Sequence, residues 1–190
     1  MNVKKLAIFA SGSGTNAEAI IKYFRNHKNV VIDSLWSNNP TAYALVRAAD
    51  AGVETFIFTR QQFYNNNEVV QQLQSRGVDL VVLAGFLWLV PENLIEKFPV
   101  INIHPALLPK YGGKGMYGMK VHQAVVDNQD KETGISIHEV NKNYDEGELV
   151  FQAKCEVLPG DTPDDVARKV HKLEYEHFPS VIEKYIEQLD

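Results

Sequence analysis

"KLAIFASGSGTNAEAIIKYF", residues 5–24, changes its periodicity halfway through. Leu6 to Ala10 form an unbroken apolar run, the pattern of a strand buried on both faces. Ser11 to Gly14 stop it, and Ala17, Ile20, Ile21 and Phe24 then recur at helical spacing. A buried strand that turns through glycine into an amphipathic helix is the opening unit of a doubly wound α/β sheet. The same grammar continues. "VVIDSLWSN", "VETFIF", "VDLVVLAG" and "VINIH" read as strands, and "AYALVRAADAG", "NNEVVQQLQSRG" and "PENLIEKFP" as the intervening helices. Gly52 and Gly77 end two of them, and Pro91 opens the third. After "YGGKGMYGMK" the pattern changes. "GISIHEV" and "ELVFQAKCEV" suit an antiparallel pair, and residues 162–189 suit a closing helix or pair of helices, with Thr162 as N-cap and Pro163 at its first position. The expected fold is therefore Rossmann-like α/β: a mostly parallel sheet, an antiparallel C-terminal strand pair and a closing helix.

The 190 residues carry no internal repeat, low-complexity tract or linker, so a single domain over 1–190 is expected. A net charge of −5 and the lack of any basic run of five argue against nucleic acid as a partner. The one cysteine, Cys155, allows no internal disulfide and suits a reducing compartment. It sits in a strand pattern and reads as inert. The apolar run after Lys5 is too short for a secretion signal or a membrane span, so a cytoplasmic location is expected. The six histidines show neither H-x-H nor H-x-x-x-H spacing, and no metal is expected.

Two stretches carry candidate chemistry. In "FASGSGTN", residues 9–16, Gly12 and Gly14 let the backbone turn tightly and approach a ligand, and the N–H groups opening the next helix favour an anion. A dinucleotide fingerprint would need glycine where Ala17 stands, and its acidic partner would be Asp33, which lies mid-strand rather than at a strand end. An anion site, a dinucleotide site and a tight turn without ligand all remain open from spacing. In "INIHPALLPKYGG", residues 101–113, Asn102 and His104 share one face of a strand whose other face is Ile101 and Ile103. Pro105 ends the strand, which puts both polar groups at a carboxyl end, where open parallel sheets bind ligands. Two donors aimed at one point suit an oxygen that becomes negative during acyl transfer. Asp145, in "NYDEG", is ordinary turn chemistry unless the fold returns it to His104. His138 reads as a structural residue.

These residues, together with "LAGFLWLVP", "YDEGELVFQAK" and "GDTPDDVARKVHKLEYEHFP", give the chain a nearly end-to-end resemblance to the phosphoribosylglycinamide formyltransferase family of formyl-tetrahydrofolate enzymes. The resemblance implies transfer of a formyl group from 10-formyltetrahydrofolate, as co-substrate, to the amine of N1-(5-phospho-D-ribosyl)glycinamide in de novo purine biosynthesis. It implies Asn102, His104 and Asp145 as the catalytic set, with His104 charged and held so by Asp145. It implies Gly12, Ser13, Gly14, Thr15 and Asn16 around the substrate phosphate and Glu174 on the ribose hydroxyls. The folate is implied at Arg60 and along Leu87, Trp88, Leu89 and Val90, with Asn102 touching the formyl donor. Residues 1–105 become the nucleotide-binding half and 106–190 the folate-binding and catalytic half, in a monomer or weak homodimer. The resemblance further implies a cis bond before Pro109 and an active-site loop over 112–121. Trp88 departs from the smaller or basic residue common there. The tRNA-formylating branch would need a basic surface, which this acidic chain lacks. A non-catalytic phosphate-binding module would account for the glycine loop but not for Asn102 and His104 together.

Overall fold

The computed structural model describes residues 3–189. In chain order the elements are β1 (Lys4–Phe9), α1 (Thr15–Phe24), β2 (Val30–Ser37), α2 (Tyr43–Asp50), β3 (Glu54–Ile57), α3 (Arg60–Tyr64), α4 (Glu68–Arg76), β4 (Leu80–Leu83), α5 (Glu92–Ile95), β5 (Val100–His104), α6 (Met119–Asp127), β6 (Glu132–Glu139), β7 (Leu149–Glu156) and α7 (Pro163–Glu187). Among the described residues they build a seven-stranded sheet in the order β3-β2-β1-β4-β5-β6-β7. The first five strands are parallel, while β6 runs antiparallel to both β5 and β7. The strand order reverses between β1 and β4, and connections leaving those two strands diverge, opening a crevice at their carboxyl ends.

The central strands alternate between two cores. Leu6, Ile8, Leu80, Val82, Ile101, Ile103, Ile135 and Ile137 face a core closed by α1, α2, α6 and α7. Ala7, Phe9, Val81, Leu83 and Val100 face a second core closed by α3, α4 and α5. Ile101 and Ile103 are 0% and 5% exposed. Burying each contributes about 1.5–3 kcal/mol, which fixes the parity of β5 and sends Asn102 and His104 together to the opposite face.

Two helices were absent from the sequence reading. Residues 60–64 form a single turn-and-a-half with a capping box between Thr59 and Gln62, and residues 119–127 form α6 directly after the glycine-rich segment. The closing segment is one helix that runs through Pro179. Thr162 caps it as expected, accepting from the Asp165 N–H, with Pro163 at its first position. Pro91 is an N-cap rather than the first helical residue. Asp33 lies away from the crevice, paired with Arg76 at 2.5 Å and Lys5 at 3.6 Å, so it is a structural ion-pair residue and not a ribose ligand. No helix is long and apolar enough to cross a membrane among the described residues.

Candidate active site

The crevice holds a cavity of about 560 Å³. Its walls are the loop after β1, the segment after β4, the end of β5, residues 113–118, and side chains from α6 and α7. At its floor the antiparallel register between β5 and β6 sets Asn102 opposite His138 and His104 opposite Ser136. All four side chains therefore share a face. His138 Nδ1–H donates to Glu139 O at 2.7 Å, which leaves Nε2 to accept from Asn102 Nδ2 at 3.1 Å. Asp145 reaches the same point from the turn between β6 and β7. Its Oδ1 lies 3.5 Å from both Asn102 Nδ2 and His138 Nε2, and its Oδ2 lies 3.5 Å from His104 Nδ1 and accepts from the Gly113 N–H at 2.9 Å.

Local backbone geometry delivers Asp145 there. Asp145 itself has φ 55, a conformation that aspartate tolerates better than most residues. Two positions later, a Cβ on Gly147 would lie 1.7 Å from Glu139 O, so only glycine lets the turn close against β6. Ser136 braces the other side. Its hydroxyl donates to Ala106 O at 2.7 Å and accepts from Leu108 N at 2.9 Å, holding the chain beyond Pro105. The Leu108–Pro109 bond is cis.

Electrostatics divide the cluster. Burial opposes the Asp145 carboxylate, but His138, His104 and the Gly113 N–H outweigh it and hold its pKa below the usual value. His104 moves the other way from expectation. Burial lowers its pKa more than Asp145 and the Tyr111 carbonyl raise it. Its Nε2–H donates to Tyr111 O at 2.7 Å. The imidazole is thus biased toward neutrality and its one hydrogen is committed to Tyr111 O, whereas a charged, available His104 was expected.

The glycine loop forms the other end of the cavity. Gly14 caps α1 at φ 75, and a Cβ there would lie 2.5 Å from Ala44, so α2 packs directly on it. A Cβ on Gly12 would meet nothing within 4 Å; that position is open toward the cavity rather than constrained by packing. Ser11 ties this loop to the segment after β4, since its N–H donates to Gly85 O at 3.1 Å and its hydroxyl accepts from Leu87 N at 3.0 Å. Asn16 Nδ2 donates to Glu174 Oε2 at 2.9 Å, while Asn16 Oδ1 is buried without a partner. Glu174 is 5% exposed, and burial pushes its pKa up to about 7 against the Asn16 hydrogen bond.

Gly12 to Asn16, Leu87 to Val90, Asn102, His104, Asp145 and Glu174 all line this one cavity. Arg60 does not. It is exposed, and its guanidinium lies 5.4 Å from the Trp88 ring centroid and 5.1 Å from that of Tyr64. Trp88 extends an aromatic group with Phe58, Phe63 and Tyr64. The expected 112–121 loop lines the cavity over 113–118, and its last three residues are helical. His138 was set aside as structural, yet it hydrogen-bonds Asn102. The repeated pattern of "INIH" and "ISIH", apolar–polar–apolar–histidine, was the available signal. His122 and His171 also line the cavity and carried no sequence signal. Among the described residues, no group of three or more His, Cys, Asp or Glu side chains could hold a metal ion.

Residues 4–182 match a protein family described as formyl transferase. Phosphoribosylglycinamide formyltransferase of Haemophilus influenzae is 36% identical over 97% of this chain and 88% of its own length. The chloroplastic enzyme of that name from Arabidopsis thaliana is 37% identical over 96% of this chain and 67% of its own. Among solved structures, glycinamide ribonucleotide transformylase 1 from Symbiobacterium toebii superposes with a TM-score of 0.87 at 32% identity, covering 97% of this chain and 88% of that one.

Proposed function

The chain belongs to the formyl transferase family, and we propose that it moves a formyl group from N10 of 10-formyltetrahydrofolate to the primary amine of N1-(5-phospho-D-ribosyl)glycinamide, a step of de novo purine biosynthesis. The observation that carries this reading is one cavity with two unlike ends: an anion-favouring helix start beside Glu174, and a floor where Asn102, His104, His138 and Asp145 converge. The relatives that match nearly the whole chain bear the name of that activity. We take the reaction to run in the cytoplasm, on a monomer or weak homodimer, without metal or nucleic acid.

In this reading the substrate amine attacks the formyl carbon and a tetrahedral oxyanion forms. Asn102 Nδ2 has two hydrogens. One is held by His138 Nε2, and the other faces Asp145 at a long 3.5 Å, so it is the donor best placed to turn to the oxyanion. The ionised Asp145 takes the proton lost by the amine, through water. Asp145 passes that proton to His104 Nδ1, 3.5 Å from its Oδ2, as the negative charge growing near Asn102 favours the imidazolium; His104 then supplies the proton gained by N10 as the N10–C bond breaks, which returns both groups to their starting states. The nucleophile belongs to the substrate, so no covalent enzyme intermediate is formed and Cys155, whose thiol burial pushes to higher pKa, has no part. Leu87 to Val90 take the pterin with backbone groups, and Arg60 meets the far end of the folate.

The test is direct. The purified protein with glycinamide ribonucleotide and a 10-formylated folate should give the deformylated folate, followed by absorbance, without ATP or metal. Folded protein that shows no turnover overturns the proposal.

A further inference from the structure

The segment after β5 touches both groups of the proton path. Tyr111 O accepts the Nε2–H of His104 at 2.7 Å, and two residues on the Gly113 N–H donates to Asp145 Oδ2 at 2.9 Å. Tyr111 makes its contact from φ 56, a left-handed conformation that a bulky residue rarely takes and that persists only where the surroundings over-determine it. The far end of its own side chain does so. The hydroxyl donates to Asp130 Oδ2 at 2.7 Å and accepts from Asn128 Nδ2 at 2.7 Å, while the ring packs against the first core. Residues 128–130 close α6: the N–H groups of Asn128, Gln129 and Asp130 return to the carbonyls of Ala124, Val126 and Val125 at 3.0 to 3.2 Å. Lys110 also pairs with Asp130, at 3.0 Å. Tyr111 and Lys110 keep the Asp130 carboxyl below the usual range, and burial raises the pKa of Tyr111, so a neutral phenol donates to a carboxylate.

We infer that Tyr111 is a positioning residue of the reaction: its hydroxyl, clamped on the α6 turn, fixes its carbonyl on His104 Nε2, so that His104 exchanges protons through Nδ1 alone. The inference rests on the formyl-transfer reading above. A carbonyl oxygen can only accept, and a neutral imidazole has one hydrogen. A carbonyl 2.7 Å from Nε2 therefore keeps that hydrogen on Nε2 and leaves the lone pair on Nδ1. Nδ1 is the nitrogen beside Asp145, at 3.5 Å. Without the carbonyl, the ring would carry its hydrogen on Nδ1, since an N–H beside a carboxylate makes the stronger, charge-assisted bond. Nδ1 would then be occupied before the amine proton arrives. With Tyr111 in place, the proton that Asp145 takes from the amine passes to Nδ1, and it leaves Nδ1 for N10 as the N10–C bond breaks. The N–H bond at Nε2 neither forms nor breaks in the cycle, and Asp145 and His104 end as they began. A carbonyl set from α6 thus decides which nitrogen works.

Nitrogen NMR of the isotope-labelled ring tests this, because the two nitrogen shifts of a neutral imidazole report which one carries the hydrogen; His104→Gln identifies the signals. In the parent without substrate, at a pH where the ring is neutral, His104 should carry its hydrogen on Nε2. Tyr111→Phe keeps the ring and loses both hydroxyl bonds. It should move the hydrogen wholly or partly to Nδ1, and kcat should fall about tenfold or more, as for a lost hydrogen bond to a charged group, with KM for nucleotide and folate within about twofold of the parent. Asp130→Ala, which leaves Tyr111 in the fold, should do the same, and the double variant should be no slower than either single one. Asp130→Asn keeps an oxygen for the phenol and should keep the parental tautomer and kcat. A parent with its hydrogen on Nδ1 overturns the inference. So does a folded Tyr111→Phe or Asp130→Ala protein with the parental tautomer, whether or not its kcat falls. The tautomer is read without substrate, so these results leave the formyl transfer standing, whereas a parent without turnover removes the activity and the proton path with it.

Discussion

Gly147→Ala would test how the turn that carries Asp145 is held. The added Cβ would sit 1.7 Å from Glu139 O, and such contacts are essentially never below 3.0 Å. Backbone must therefore move by at least about 1.3 Å, either at the turn or at the end of β6. Both routes reach the cluster. The turn carries Asp145 two residues away, with contacts at 2.9 to 3.5 Å to Gly113, His104 and Asn102. The Glu139 carbonyl is the acceptor that orients His138 at 2.7 Å. A displacement of about 1 Å at a reacting group can cost about a hundredfold in rate, and overpacking of this kind about 1–3 kcal/mol in stability. The expected result is a kcat about a hundredfold down, a modest fall in Tm, and nucleotide affinity near parental, because the glycine loop and Glu174 are untouched. Steady-state kinetics, thermal melts and nucleotide titration measure all three. A variant with parental kcat and Tm would refute the argument that this glycine positions Asp145 and His138.

Asn102→Ala should lower kcat by roughly a hundred- to a thousandfold, the usual cost of one oxyanion donor, with nucleotide affinity retained; collapsed binding with surviving kcat would make Asn102 a positioning residue. Asp145→Asn removes the main influence that raises the His104 pKa, so NMR titration of that ring should show it losing its proton at lower pH than in the parent, and turnover at neutral pH should fall. An unchanged His104 titration would remove Asp145 from the catalytic set. Glu174 has a folded-state pKa of about 7, raised from 4.5, so the folded protein binds the extra proton and the unfavourable burial of its charge sets in as pH rises through that window. Glu174→Gln should therefore be more stable than the parent at pH 8, with a ceiling of roughly 3 kcal/mol, and the gap should vanish below pH 4.5. Denaturant melts across pH check this, and a constant gap at all pH values would contradict it.

The sequence by itself determined the alternation of elements, because buried strands and amphipathic helices differ in period, and each burial of an Ile or Leu enforces that period locally. It also determined that Asn102 and His104 share a face at a strand end, since a two-residue repeat and a following proline suffice. The short helices 60–64 and 119–127 were missed for a local reason: one is too short to show a period, and the other follows a glycine-rich run that reads as loop. The rest of the site was decided by tertiary structure. Asp145 reaches His104 only because β6 returns antiparallel to β5 and Gly147 lets the next turn close on it. His138 meets Asn102 through that same register, which no spacing within one strand encodes. The balance of influences on His104 was not legible for a related reason: its neighbours could be guessed, but the depth of burial set against Asp145 is a matter of packing. His122 and His171 lie on different helices and come together only where α6 packs on α7, because through-space proximity between distant segments is a property of the packed chain and not of any window along it.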